Sequence, residues 1–164
     1  MATGVHHATI VHPIHGGLGM NIRLAGIAAL ACCVAGVAVA RAEIDVIAVR
    51  KAGLDLQAST LGAVSLAFKG GAEAKSFAGA GSAISAWAKQ MPSLFPPGSD
   101  KGDTKALPEV WSDNAGFVKD AAALGAAADK LTAAAKADDK VAFEAALKDV
   151  GAACGACHKT YRAK

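Results

Sequence analysis

Cys154, Cys157 and His158 form a C-x-x-C-H run close to the end of a 164-residue chain. On a helix these positions are i, i+3 and i+4, so the three side chains leave one face within a single turn. Two thiols one turn apart can each add across a vinyl group to form a thioether. The imidazole beside the second thiol can then reach a metal from the same side. A disulfide-exchanging C-x-x-C normally opens a helix after a strand, and no strand pattern precedes this one. A structural zinc site needs about four ligands, and this turn offers three. A disulfide between two residues of one helical turn is strained. The spacing is therefore read as the attachment site of one covalent haem c, with His158 as the metal ligand and Cys154 and Cys157 as the anchors.

The other cysteines, Cys32 and Cys33, and the other histidines, His6, His7, His12 and His15, all stand in the first 42 residues. From Met20 the chain reads MNIRLAGIAALACCVAGVAVARAE. Arg23 gives a short positive start, Leu24 to Ala40 run without charge, and Ala40-Arg41-Ala42 puts small residues at the positions a signal peptidase reads. Residues 20–42 are expected to be a cleavable secretory signal, cut after Ala42. The run is shorter than the roughly 20 apolar residues of a membrane span, so no stable membrane anchor is expected. A lipid-modified Cys33 is disfavoured by Cys32 before it. Residues 1–19 do not fit a signal peptide, and translation starting at Met20 is the simpler expectation. The histidines there resemble a metal-binding tract, in a segment expected to be absent from the working protein. Export places the protein in the periplasm, where bacterial haem attachment takes place.

Residues 43–164 then form one domain. Arg23 and Arg41 leave with the front segment, so 15 basic residues face 14 acidic ones. No basic stripe or aromatic interleaving points to nucleic acid. Cys154, Cys157 and His158 become the only cysteines and histidine, and Met91 the only methionine.

The elements that must position the motif read as helices. Ile47, Leu54, Leu61 and Phe68 recur every seven residues, with Arg50, Gln57 and Val64 beside them. Phe77, Ile84, Trp87, Met91 and Leu94 mark a second helix, and Phe117, Ala121, Leu124, Ala128, Leu131 and Ala135 a third. Phe143, Leu147, Val150, Cys154, Cys157 and Tyr161 mark the fourth. Gly70-Gly71 separates the first two, Ser112 or Asp113 can cap the third, and Asp138-Asp139 can cap the fourth. The segment PSLFPPGSDKGDTKALPE makes a long crossover between the second and third helices. The expected fold is an all-α four-helix bundle, up-down-up-down, with that one long crossover. The alanine runs of the third helix suit close packing, inside the bundle or against a second subunit.

A C-terminal C-x-x-C-H followed by K-T-Y-R on the fourth helix resembles cytochrome c′ and its low-spin relatives, the class II cytochromes c. The resemblance extends to V-R-K-A-G-L in the first helix, L-F-P-P-G-S in the crossover and P-E-V-W-S-D before the third helix. It implies that Cys154 and Cys157 carry the thioethers and that His158 is the proximal iron ligand. It also implies that Arg50 lies near a haem propionate, Arg162 beside the proximal histidine, and Leu54 on the distal side of the iron. Arg162 equally suits the negative end of its helix. Tyr161, Trp111, Phe95 and Phe68 read as packing.

In this family a methionine on the first helix gives a six-coordinate electron carrier, and its absence leaves a five-coordinate iron open to NO or CO. Leu54 occupies that position, so a gas-binding haem protein able to exchange an electron is expected, with the simple electron carrier as the alternative. Met91, directly before Pro92, is expected to miss the iron unless the crossover folds over the haem. An enzyme is not expected, because a peroxidase or reductase needs a distal acid–base group and no second histidine follows residue 42. The redox partner protein is not specified. The small residues of AGAGSAISA allow a homodimer through the first two helices.

Overall fold

The computed structural model describes residues 44–164; the expected signal sequence and the N-terminal histidines lie outside the described residues. Four long helices carry the domain: α1 (Val46–Lys69), α2 (Ala78–Gln90), α4 (Asn114–Lys136) and α5 (Lys140–Tyr161). A four-residue helix, α3 (Glu109–Ser112), ends the crossover. The all-α bundle with its long second connection is thus realised.

Local chemistry sets each end. Asp45 caps α1, its carboxylate accepting from the Ile47 and Ala48 amides at 3.0 Å. Asp113 caps α4 through the Gly116 amide at 3.2 Å. The Asp138-Asp139 pair divides its labour. Asp139 caps α5 by accepting from Val141 and Ala142 at 3.1 and 3.0 Å. Asp138 instead ends α4 in a left-handed conformation at φ 51°, where the Asp138 and Asp139 amides donate back to the Ala135 and Ala134 carbonyls. Gly71, at φ 96°, makes the same stop after α1, with its own amide and that of Ala72 bonded to Phe68 and Ala67.

The second helix is shorter than its apolar pattern. Phe77 closes a separate 3₁₀ turn (Ala74–Phe77), and Met91–Leu94 forms another after α2 stops at Gln90. Pro92 has no amide to continue the ladder and crowds the carbonyl one turn earlier. The chain turns there, and the crossover begins.

Two apolar clusters fill the bundle. The first gathers Ile84, Leu131, Phe143 and Val150 with alanines of α4. Phe143 is fully buried, 4.8 Å from the Phe68 ring and 5.7 Å from that of Phe77. Ala121, Ala128 and Ala135 of α4 are buried inside the bundle, whereas Ala122, Ala123 and Ala126 are exposed, and a Cβ on Gly81 would stand 3.0 Å from the Thr132 amide nitrogen. The second cluster joins Met91, Phe95, Val110, Phe117 and Tyr161, with Leu54, Trp87 and Cys157 against it. Helix α4 packs closely on both α2 and α5, whereas α1 and α5 meet at few positions. The seam between α1 and α5 is where the functional residues face one another.

Candidate functional site

Helix α5 delivers the motif in one turn: Cys154 and Cys157 are half-buried free thiols, and His158 follows on the same face. Cys157 and His158 line a cavity of about 430 Å³. Opposite them α1 contributes Arg50, Leu54 and Ala58, and the crossover contributes Met91, Phe95 and Thr104. Val110 and Phe117 complete the apolar wall, while Lys51, Asp55, Asp103, Lys105 and Arg162 bring charge to the lining.

A helix this close to a chain end would ordinarily fray. Here it is tied down. The Leu107 amide donates to the Tyr161 carbonyl at 3.0 Å and the Ala163 amide to the Lys105 carbonyl at 2.8 Å. Ala106 and Arg162 form an isolated antiparallel bridge. The Tyr161 hydroxyl donates to the Asp113 carboxylate at 2.7 Å, and that bond, more than burial, pushes its pKa up to about 12. The tyrosine read as packing therefore also locks the motif helix to the start of α4.

Burial pushes the Cys157 thiol up to about 11, with Asp120 and Cys154 adding to the shift. Cys154 is raised by burial as well. Both sulfurs stay protonated at neutral pH, unlike the lowered thiols of disulfide-exchange enzymes. His158 is lowered, first by burial and then by the Arg162 charge, so the imidazole is neutral at pH 7 with a ring lone pair to offer a metal. Two thiols and a neutral imidazole along one turn, beside an apolar-walled cavity with cations in its lining, suit a covalently held haem.

The sequence-predicted residues meet in this place, with one addition to their roles. Leu54, Cys157, His158, Arg50 and Arg162 all line the cavity; Cys154 stands one turn along α5 from Cys157. Arg50 is only 1% exposed. Its guanidinium donates to the Leu94 carbonyl (3.2 Å), the Ser99 hydroxyl (2.7 Å), the Ser99 carbonyl (2.7 Å) and the Thr104 hydroxyl (2.9 Å). It also stacks on Phe95, 4.4 Å from the ring centroid. Four of its five donors therefore hold the crossover, a task invisible in the sequence. Trp111 assists by donating to the Phe95 and Pro96 carbonyls at 3.1 Å. Met91 is the other surprise. The crossover does fold over the cavity, and Met91, 4% exposed, lines it.

Comparison with known proteins agrees with this geometry. A family model described as Cytochrome C' matches residues 45–162. Cytochrome c′ of Rhodopseudomonas palustris is 38% identical over 152 residues, covering 88% of this chain and 99% of that protein. Cytochrome c′ of Rubrivivax gelatinosus is 39% identical over 123 residues, or 73% and 95% of the two chains. A cytochrome c-556 of Agrobacterium tumefaciens is 48% identical over 81 residues, 49% of this chain and 65% of that one. Among solved structures, cytochrome c′ from Thermochromatium tepidum superposes with a TM-score of 0.68 at 36% identity, covering 73% of this chain and 95% of that one. The nitric oxide complex of a variant cytochrome c prime from Alcaligenes xylosoxidans gives 0.66 at 35% identity, covering 73% and 94%. The chain belongs to the cytochrome c′ family, and its cofactor is a covalently bound haem c.

Proposed function

We propose that the protein is a periplasmic haem protein that binds NO or CO and exchanges single electrons, without catalytic turnover of its own. Haem, when bound, would supply an iron able to take a diatomic gas and to change charge by one electron. Cys154 and Cys157 hold it, and His158 presents a neutral imidazole whose pKa is kept low by burial and Arg162. The observation that carries the reading is Leu54. It lines the cavity from α1 while His158 lines it from α5, and a hydrocarbon side chain has no lone pair to offer a metal. Arg162 and Arg50 are assigned to the charge balance of the site, Arg50 with the further task of holding the crossover. The nitric oxide complex of the Alcaligenes xylosoxidans relative supports gas as the ligand.

A second reading, the six-coordinate electron carrier, is favoured by one observation: Met91 lines the same cavity. The reduced wild-type protein separates the two. One broad visible band, uptake of NO and CO, and no change in Met91→Leu support the gas-binding reading. Sharp split bands that collapse in Met91→Leu would establish the carrier. In either case Cys154→Ala/Cys157→Ala is expected to lose all haem on acid–acetone extraction, and haem that resists extraction refutes the anchor assignment.

Cleavage after Ala42 and export complete this reading. A homodimer through α1 and α2 belongs to it also, supported by Leu56 and Leu66 on α1, which are 62% and 75% exposed. Sedimentation of the mature protein tests the dimer, and N-terminal sequencing tests the cleavage.

A further inference from the structure

A side chain at Gly53 of α1 would collide with a neighbouring helix. A Cβ there would overlap the far edge of the Trp87 six-membered ring, at Cη2, Cζ3 and Cζ2. The indole of α2 therefore lies directly against the backbone of α1, in a notch that only glycine leaves open. Leu54, the next residue, lines the haem cavity. Leu54 and Trp87 both pack on the cluster of Met91, Phe95 and Phe117, and those three residues wall the same cavity.

Hydrogen bonding does not fix the ring in that notch. A buried indole N–H ordinarily finds an acceptor, but Trp87 Nε1 is buried with no partner among the described residues. Gln57, one turn beyond Gly53 on the same side of α1, likewise has its Oε1 buried without a partner. Shape alone holds the contact, so the reach of the ring sets the spacing of the two helices. The helix that yields to it is α1. Helix α2 buries Gly81, Ile84, Ser85 and Ala88 and is held tightly on α4. Gly81 lies against Thr132 there, and a Cβ on Gly125 would stand 3.6 Å from that of Ala88. Of the 24 residues of α1, only Arg50 and Val64 are buried. Val64 is about three turns from Leu54, and Arg50 clasps Ser99 of the crossover rather than α2. Trp87 is thus the support of Leu54 on the α2 side.

We propose that Trp87, seated in the Gly53 notch, is a positioning residue for gas binding: it props α1 at a distance from α2 that sets how far Leu54 reaches into the haem cavity. This rests on the gas-binding function proposed above. Lengthening the prop moves Leu54 outward and gives a guest more room. Shortening it lets Leu54 settle inward. The two changes act with opposite signs and cancel when combined. A contact that served stability alone would not show this pattern, because a clash and a gap both weaken packing.

The test uses the haem-loaded protein. Gly53→Ala lengthens the prop by a methyl group, Trp87→Phe removes the outer edge of the ring, and the double variant does both. Carbon monoxide association is measured by flash photolysis. The packing is read from nuclear Overhauser contacts between the Gly53 α-protons and the Trp87 ring, and from the Leu54 methyl shifts, in the reduced CO-bound protein. Wild type should show those contacts. An ångström-scale displacement in a site can change a rate by about a hundredfold. Gly53→Ala, a smaller displacement shared between ring and helix, is expected to speed CO association roughly three- to tenfold, and Trp87→Phe to slow it by a similar factor. Both single variants should move the Leu54 methyl signals, and the double variant should return rate and signals close to wild type. Should Gly53→Ala fail to fold, Trp87→Phe carries the test, since it adds no bulk and its expected slowing stands alone. Association that is unchanged or slower in folded Gly53→Ala, or unchanged or faster in Trp87→Phe, overturns the positioning role while leaving the gas-binding function standing. Single-variant changes that the double variant does not reverse overturn it too, as does a wild type without the Gly53–Trp87 contacts. A wild-type protein that takes up no CO overturns both.

Discussion

Replacing Arg50 with methionine removes the guanidinium while keeping an unbranched side chain to lie against Phe95. Four hydrogen bonds disappear, and the two to Ser99 lie in buried surroundings. Leaving a buried acceptor without its donor costs about 1–3 kcal/mol, so the two Ser99 acceptors set a loss of roughly 2–6 kcal/mol. Water can reach Leu94 and Thr104 more easily, which limits their share. Relief of the cost of burying a charge works the other way. The expected net loss is about 3 kcal/mol, a large part of the 5–15 kcal/mol that holds an ordinary domain together. Urea unfolding of the haem-loaded protein measures it. With a denaturant slope of about 1–3 kcal/mol per M, the midpoint should fall by roughly 1–3 M. Hydrogen exchange should quicken at the crossover amides, Ser99 and Thr104 foremost, and much less in α4. Ser99→Ala, alone and combined with Arg50→Met, isolates the pair, and the two losses should fall well short of adding. A midpoint shift below about 0.3 M, with crossover exchange unchanged, would refute the role as a clasp. If the reduction potential moved while stability did not, the propionate role implied by family resemblance would stand alone.

Phe143→Ala empties a fully buried aromatic site between Phe68 and Phe77, and calorimetry should show a loss of about 3–5 kcal/mol. Gly81→Ala sets a methyl against Thr132 and the Ala128 carbonyl; overpacking of about 1–3 kcal/mol is expected, and a variant as stable as wild type would contradict the close α2–α4 approach. Tyr161 has its pKa raised to about 12 by donating to Asp113. Its hydroxyl therefore stabilises the fold fully below the ordinary tyrosine pKa near 10, and that contribution fades as pH rises through about 12. Tyr161→Phe should be less stable than wild type at pH 7, the gap closing in strong alkali; a gap that widens there would reverse the assignment.

Much of the chemistry was legible because it is local. Cys154, Cys157 and His158 share a face through helical geometry alone, whatever surrounds them. The apolar periodicity named the buried residues Phe117, Ala128, Leu131, Phe143 and Val150 correctly, since each repeats with its helix. Gly71 turns the chain because it has no side chain to clash at positive φ, and the aspartates at 113 and 139 carry their cap chemistry in their carboxylates. The pattern overran at Met91 and Leu94, where Pro92 was a visible warning. It also overstated the burial of Leu61, Phe68 and Leu147, which sit beside the open α1–α5 seam.

What the sequence could not show was how distant segments share an acceptor or a wall. Arg50 reads as a cation next to a core stripe, and only the fold brings Leu94, Ser99 and Thr104 within reach of its four donors. The crossover residues carry no periodic signal, so neither their closure over the cavity nor the presence of Met91 inside it could be read in advance. The pinning of α5 by Lys105 and Leu107 has the same character, because backbone amides and carbonyls are identical at every residue. Sequence determines which groups are available and how neighbours along a helix are arranged. Which of them meet across the chain is decided by tertiary packing, because a hydrogen bond or a cavity wall depends on ångström-scale placement that spacing along the chain does not encode.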